Sequence, residues 1–424
     1  MQLALSRIAQ SRTLLQMNKP IYLYVCPFFP SPESWRGGFF FDAVKALMRD
    51  GRYDVRVVVG QKGDDYVIDG IKVSRFKPFK IGDSDHFSIL TDSVKTFRFG
   101  RKIKELGLSF EDIAVCHVHL LERYAIYGAW IKRKNPRCCV MAHHHWMGMN
   151  PLSGNLLARL PFSREMQYVR LRHSYEMLDA HIFCSEMTRE AYGKYYLGDG
   201  LTGELRDIRK ILRSPGLVKK MSCPHPHVVY NGVDLHEFYD DKRGTRQDRF
   251  LIGCVANFIA TKSQITLLTA FAKAHLRMAD AKLIFVGTGA ELDRCKKIAS
   301  EAGIQSVVEF RDEMAHSQMP DLYRSFDLYV LPSYLEAFNC SLIEAWACGV
   351  PCITTKEISF KEVLPPEEWD KWLFPAKDAQ ALAEKLVWAY ETRPARQQLT
   401  RDMNIDVITR ELLDYVGSLR DKIS

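Results

Sequence analysis

The sequence predicts an α/β protein with two doubly wound domains, each a parallel sheet covered by helices on both faces. Three observations carry this. Short, nearly continuous apolar runs alternate with segments whose apolar residues recur at helical spacing, the pattern of strands buried on both sides. The alternation runs through two successive series, separated by the polar stretch Asp240-Asp241-Lys242-Arg243-Gly244. The 424 residues suit two or three domains at roughly 150 residues each.

The first series opens with a strand over 20–26, followed by a loop rich in Pro, Ser and Gly (27–38). A helix follows, with Phe41, Val44, Leu47 and Met48 on one face. Strands are predicted over 54–59, 113–119, 138–142, 180–184 and 227–230. Helical segments lie over 121–134 and near 152–178, and Asn231-Gly232 is a turn signal. The second series alternates strands (249–255, 281–286, 307–310, 327–331, 351–355) with helices (263–278, 290–302, 318–325, 341–348). The expected domains are an N-terminal one over 19–238 and a C-terminal one over 245–400. Residues 401–424 form a C-terminal helix expected to pack back toward the first. Ligands of such sheets bind beyond the carboxyl ends of the strands, and the cleft between two such domains is the natural site.

Composition narrows the class. Apolar residues make up 47% and charged residues 26%, ordinary globular usage. No run approaches the ~18 apolar residues of a membrane-spanning helix. Residues 1–17 hold Arg7, Arg12, two Ser and no acid; they read as a disordered leader rather than a transit peptide. The 11 cysteines sit mostly in apolar runs without a C-x-x-C pair, which fits buried thiols in a reducing cytosol rather than disulfides or a zinc site. The net charge of +8 is uneven. Residues 1–250 hold 39 Lys/Arg against 27 Asp/Glu, and residues 251–424 hold 20 against 24. That asymmetry hints at an anionic partner for the first half.

The chemically richest stretch runs from Leu331 through Glu336 and Glu344 to Pro351. A strand ends at Pro332 and a helix begins near Ser341, with Asn339 or Ser341 placed to cap it. Its first-turn amides would face an anion such as a diphosphate. Two carboxylates eight residues apart flank the helix start, able to accept hydrogen bonds from sugar or ribose hydroxyls. Ser341-x-x-Glu344 equally fits a capping box with no role beyond the helix end.

This stretch resembles the E-x7-E motif of family 4 retaining glycosyltransferases, which have the GT-B fold of two Rossmann-like domains facing across a cleft. Further matches follow in order. Gly37-Gly38 is similar to the family's N-terminal glycine loop, and His143-His144-His145 to its histidine after a strand. Tyr230-Asn231-Gly232-Val233-Asp234 resembles the junction segment, Asn257 to Lys262 an Arg and Lys five apart, and Gly287-Thr288-Gly289 the glycine turn. The resemblance spans about 19–395. Asn257 stands where the family has arginine, and Glu336-Ala337-Phe338-Asn339 replaces its E-G-F-G run.

The resemblance implies roles for these residues. Glu344 would bind the ribose of a nucleotide-sugar donor. Glu336 would contact the donor sugar, helped by amides of Phe338, Asn339, Cys340 and Ser341. Lys262 would neutralise the departing diphosphate, whose developing charge fixed donors must meet; Asn257 could add only neutral hydrogen bonds. The Gly37-Gly38 loop and Gly287 would approach the donor, and His143 or His144 would lie beside its sugar. The activity implied is metal-independent retaining transfer from a UDP- or GDP-sugar to a hydroxyl of a glycan or lipid-linked acceptor, with no cofactor. It suits cell-surface polysaccharide synthesis in the cytoplasm or on its membrane face.

Other features are weaker. Gly287-x-Gly289 with Glu309 downstream partly mimics a dinucleotide fingerprint, but Leu292 replaces its third glycine. An NAD-dependent oxidoreductase is thus one alternative, and a nucleotide-sugar binder without transfer, suggested by Asn257, is another. Asp83-Ser84-Asp85 reads as a solvated loop. His117-x-His119 and residues 143–145 are metal-ligating types, but alternate residues on a strand more often pack, and no metal is expected. Two basic segments, one from Arg206 to Lys220 and one from Arg159 to Arg172, suit an anionic membrane surface; no nucleic-acid motif accompanies them.

Overall fold

Ile21–Cys26 (β1) is buried along its whole length, as a central strand of a doubly covered sheet must be. The computed structural model describes residues 19–32, 34–78, 88–119, 124–145, 172–192, 223–241 and 249–423. Contacts divide the chain into two units: Met1–Cys184 with Thr188–Val229 and Thr409–Ser424, and Ser185–Met187 with Tyr230–Ile408.

In the first unit β1 is joined by β2 (Asp54–Val59), β3 (Tyr66–Ile68), β4 (Ile71–Arg75), β5 (Ile113–His119), β6 (Cys139–His144), β7 (Ala180–Phe183) and β8 (Pro226–Val228). Their order is β3-β4-β2-β1-β5-β6-β7-β8. All pairs are parallel except the β3–β4 hairpin, which the sequence reading did not anticipate. Its turn, Asp69-Gly70, takes positive φ at both residues, the conformation a tight hairpin needs. Helices α1 (Gly38–Asp50), α2 (Ser88–Glu105) and α3 (Ala125–Lys134) cover the sheet. Leu23, Val25, Val118, Val140 and Tyr127 belong to one continuous core. Strand order reverses between β1 and β5, the switch point beyond which ligands bind in open α/β sheets.

A short helix α4 (Glu186–Tyr192) begins in the second unit and ends in the first. The second unit holds a six-stranded sheet of β9 (Phe250–Val255), β10 (Ala281–Val286), β11 (Val308–Arg311), β12 (Leu328–Leu331), β13 (Cys352–Thr355) and β14 (Leu373–Phe374). The order is β11-β10-β9-β12-β13-β14, all parallel. Its helices are α5 (Gln264–Ala274), α6 (Leu292–Glu301), α7 (Met319–Arg324), α8 (Cys340–Ala347), α9 (Trp369–Trp372) and α10 (Ala379–Thr392). Asp378 caps α10, its carboxylate accepting from the amides of Gln380 and Ala381 at 3.0 and 2.9 Å. Here the switch point lies between β9 and β12.

The last helix, α11 (Ile405–Ile423), starts in the second unit and continues in the first. Backbone bonds between Val233 and both Met403 and Ile405, each 2.9 Å, hold its start. Farther along, the Tyr415 ring stacks on His227 at 4.0 Å and its hydroxyl donates to the His225 carbonyl.

Among the described residues no helix is long and apolar enough to cross a membrane, and all 11 cysteines are free thiols. Residues 1–17, Asp83-Ser84-Asp85, linker residues 242–248, residues 152–171 of the helix the sequence predicts and the basic segment from Arg206 to Lys220 lie outside the described residues. Arg159, Arg164 and Arg170 do too.

Candidate functional site

In the second unit two loops leave the carboxyl ends of β9 and β12, on either side of the switch point. The β9 loop ends in a 3-10 turn, Ala260–Lys262. The β12 loop is pinned to it where the Tyr334 amide donates to the Thr261 carbonyl at 3.0 Å. That bond brings Lys262 Nζ onto Glu336 Oε1 as a direct ion pair. Both side chains are largely shielded, 22% and 12% exposed, so their interaction is screened less than at an open surface. The structure thus brings together two residues that stand 74 apart in sequence. Asn257, on the same β9 loop, is exposed; its carbonyl accepts from Gln264 Nε2 at 3.0 Å.

Glu344 lies on α8. Its Oε2 accepts from the Tyr323 hydroxyl at 2.7 Å. Burial and the Glu344 charge push the Tyr323 phenol well above its ordinary value, so it stays a donor at neutral pH. This corrects the capping-box expectation. The helix starts one residue earlier than predicted, at Cys340, with Asn339 at its N-cap but no side-chain cap bond. Ser341 instead lies inside the first turn, where its hydroxyl is 2.9 Å from that of Tyr329. Tyr329 also donates to the Val255 carbonyl at 3.0 Å, tying the start of α8 to the end of β9. Asn339 is 4% exposed, and neither atom of its side-chain amide has a partner among the described residues.

Other contacts hold the loop before α8. Ser185 Oγ donates to the Ala337 carbonyl at 2.8 Å, and the Phe338 ring lies 5.9 Å from that of Tyr230. Glu362 binds the Tyr230 hydroxyl and the amides of Glu186 and Met187. Sequence reasoning missed Tyr323, Tyr329 and Glu362, because nothing local marks a buried phenol or carboxylate as a long-range partner.

Gly287 and Gly289 have φ of 140° and 150°. A side chain at either would sit 2.4 Å from the carbonyl of Ala256 or Phe258. The glycine turn is thus required by its packing against the β9 loop. Glu309 pairs with Arg311 at 2.7 Å, and that hydrogen bond lowers its pKa.

In the first unit the switch point is lined differently. Gly37, with φ of 94°, is the N-cap of α1, and Gly38 begins that helix. The strand register sets His119 of β5 against His143 of β6. The period of two puts Tyr22, Tyr24, His117, His119, His143 and His145 on one face. Tyr22 bonds His117 Nδ1 at 2.7 Å, and His119 Nδ1 lies 2.9 Å from His145 Nε2. His144 faces the other way, with Nε2 3.1 Å from His181 Nδ1 and its ring stacked on Phe183. The two histidines proposed beside the sugar therefore stand on opposite faces of one strand. Burial lowers all six imidazoles, His143 to about 3 and His181 to about 4, so they are neutral at pH 7. One ligand atom from each of His117, His119 and His143 lies within 4.8 Å of the others. Spacing along the sequence favoured packing over metal binding for these residues, with His143 or His144 expected beside the donor sugar. The signal for the cluster was present, however, in the alternation 117/119 and 143/145.

Comparison with known proteins bears on this arrangement. Residues 236–403 match the family described as Glycosyl transferases group 1. An uncharacterized glycosyltransferase of Methanocaldococcus jannaschii is 23% identical over 78% of this chain and 79% of its own length. An Escherichia coli chain, whose description assigns it to colanic acid biosynthesis as a glycosyltransferase, is 24% identical over 48% of this chain and 54% of its own. Among solved structures, Anabaena HepE in complex with UDP and glucose aligns over 95% of this chain and 98% of its own, with TM-score 0.60 at 15% identity; that likeness shows the fold. The chain has the GT-B fold, carries the glycosyl transferases group 1 domain and is a glycosyltransferase.

Proposed function

We propose that the chain transfers a sugar, with retention of configuration, from a UDP- or GDP-sugar to a hydroxyl of a glycan or lipid-linked glycan. The observation that carries this reading is the Lys262–Glu336 pair at the start of α8, with Glu344 held one helical turn beyond by Tyr323. A diphosphate reaching Lys262 competes for its ammonium and frees the Glu336 carboxylate to accept from sugar hydroxyls. Glu344 takes the ribose hydroxyls, and the amides of Phe338 to Ser341 face the donor. As the anomeric C–O bond breaks, negative charge gathers on the diphosphate, where Lys262 stabilises it. The acceptor oxygen forms the new bond, and its proton leaves with the nucleotide. Lys262 does this work in place of a metal ion. His143 or His144 supplies the sugar contact.

HepE, bound to UDP and glucose, supports a nucleotide-sugar donor, and the colanic acid relative supports a role in surface polysaccharide synthesis. The basic first half suits work on an anionic membrane surface at its cytoplasmic face, and such docking should need anionic lipid and weaken with salt.

The test is a panel of UDP- and GDP-sugars with lipid-linked acceptors, in chelator, read as nucleotide release and as the anomeric configuration of the product. Release with at least one donor and a retained configuration is expected. A thermal shift without turnover for any pair would overturn the reading, and inversion would overturn the retaining mechanism.

A further inference from the structure

Four imidazoles crowd the switch point of the first unit, and their hydrogen bonds do not account for their nitrogens. His117 and His119 are 1% and 2% exposed and His143 is 5% exposed. Among the described residues, Nε2 of His117, Nε2 of His119 and Nδ1 of His145 are buried without a hydrogen-bond partner, and the His143 ring has only an approach to the Val229 backbone, with no partner of normal geometry at either nitrogen. Buried polar atoms left unpaired destabilise the fold, and such a concentration calls for a group that satisfies several at once.

We infer that His117, His119 and His143 form a three-imidazole site for a borderline divalent metal ion of the zinc and cobalt class. Their residue types fit, since neutral imidazole is the preferred nitrogen ligand of such ions. Their supports fit too. A metal-bound histidine typically donates its other ring N–H to an outer partner. His117 Nδ1 has the Tyr22 hydroxyl at 2.7 Å, and His119 Nδ1 has His145 Nε2 at 2.9 Å. With protons on those two nitrogens, both rings present an Nε2 lone pair. Burial keeps the rings neutral, as ligands must be.

One ring nitrogen of each histidine lies within 4.8 Å of the others, and the bound nitrogens need to close to roughly 3.3 Å, the separation in a tetrahedral site with bonds of about 2.0 Å. Rotation about χ2 of histidine, a soft torsion, supplies that movement. Three neutral ligands leave a fourth position for water or an anion, and the site lies where the sheet topology places ligand crevices. The inference rests on the first unit alone. It would take His143 out of any sugar-facing role and leave that role to His144.

The experiment uses tag-free, chelator-stripped full-length protein titrated with Co2+, followed by visible absorption and competed with Zn2+. One equivalent per chain with four- or five-coordinate cobalt bands is expected. His119→Ala should abolish the bands. Tyr22→Phe, which keeps the ring and removes only the outer partner of His117, should weaken affinity by about 10- to 100-fold. His144→Gln, on the opposite face, should leave cobalt binding unchanged. Should His119→Ala fail to fold, Tyr22→Phe decides alone. No cobalt bands in the wild type would show that the cluster is satisfied by water and overturn the inference. Unchanged affinity in Tyr22→Phe would also overturn it.

Discussion

The two units build a site at the same topological place by opposite electrostatic means. In the second, the loops beyond β9 and β12 set a cation against a carboxylate, and Glu344 accepts from a buried phenol. In the first, the ends of β5 and β6 set neutral imidazoles side by side, with ring nitrogens left unpaired. A site that must meet developing charge needs fixed charges held ready. A site of buried neutral bases is suited to lone-pair chemistry and is sensitive to acid. Topology chose the location, and the side chains chose the chemistry.

The sharpest way to break this comparison is at the charged pair. Lys262→Ala and Glu336→Ala should each lower turnover by about 100-fold or more, as loss of a transition-state donor does. Near-wild-type rates in both would move the reacting centre elsewhere.

Acid should separate the units next. The unfolded chain protonates its histidines near pH 6.5, whereas in the folded chain burial holds His143 down to about 3 and His181 to about 4. Between those limits the unfolded state binds more protons. The stability these neutral rings contribute is therefore full above pH 6.5 and is lost as pH falls, by about 1.4 kcal/mol per pH unit for each ring. The buried tyrosines and thiols of the second unit are shifted upward and do not titrate there. Hydrogen exchange on metal-free protein at pH 4.5 should show β5 and β6 losing protection before β9 and β12. Simultaneous loss would erase the contrast.

Backbone demands supply a smaller effect. Gly289→Ala would press a methyl group against the Phe258 carbonyl at a φ that disfavours side chains. We expect a loss of about 1–3 kcal/mol, seen as a lower melting temperature. A neutral change would mean that the β9 loop yields. The last effect, of similar size, concerns Glu344. Tyr323→Phe removes one hydrogen bond to a carboxylate, about 1.5–3 kcal/mol, and should raise the donor KM roughly tenfold or more with little change in kcat. A drop in kcat alone would deny Tyr323 a positioning role.

Much of this was legible in the sequence because apolar period and strand length are local properties. The alternation from Ile21 to Thr355 predicted both sheets, and the segment from Glu336 to Glu344 pointed to the group 1 domain. The β3–β4 hairpin escaped because the three residues of β3 carry little pattern, although Asp69-Gly70 marks its turn. The start of α8 was misplaced by one residue, because Tyr329 engages the Ser341 hydroxyl from a strand 12 positions away.

The sequence by itself determined the alternating elements, the two-domain organisation and the residue types available for chemistry. Pairing and facing were decided only by tertiary structure. Lys262 meets Glu336 because two loops flank one switch point, His143 and His144 part company because successive residues of a strand face opposite ways, and His119 meets His143 because parallel register sets them side by side. Such contacts depend on register and strand order, which arise from the packing of whole sheets and are not encoded at any single position.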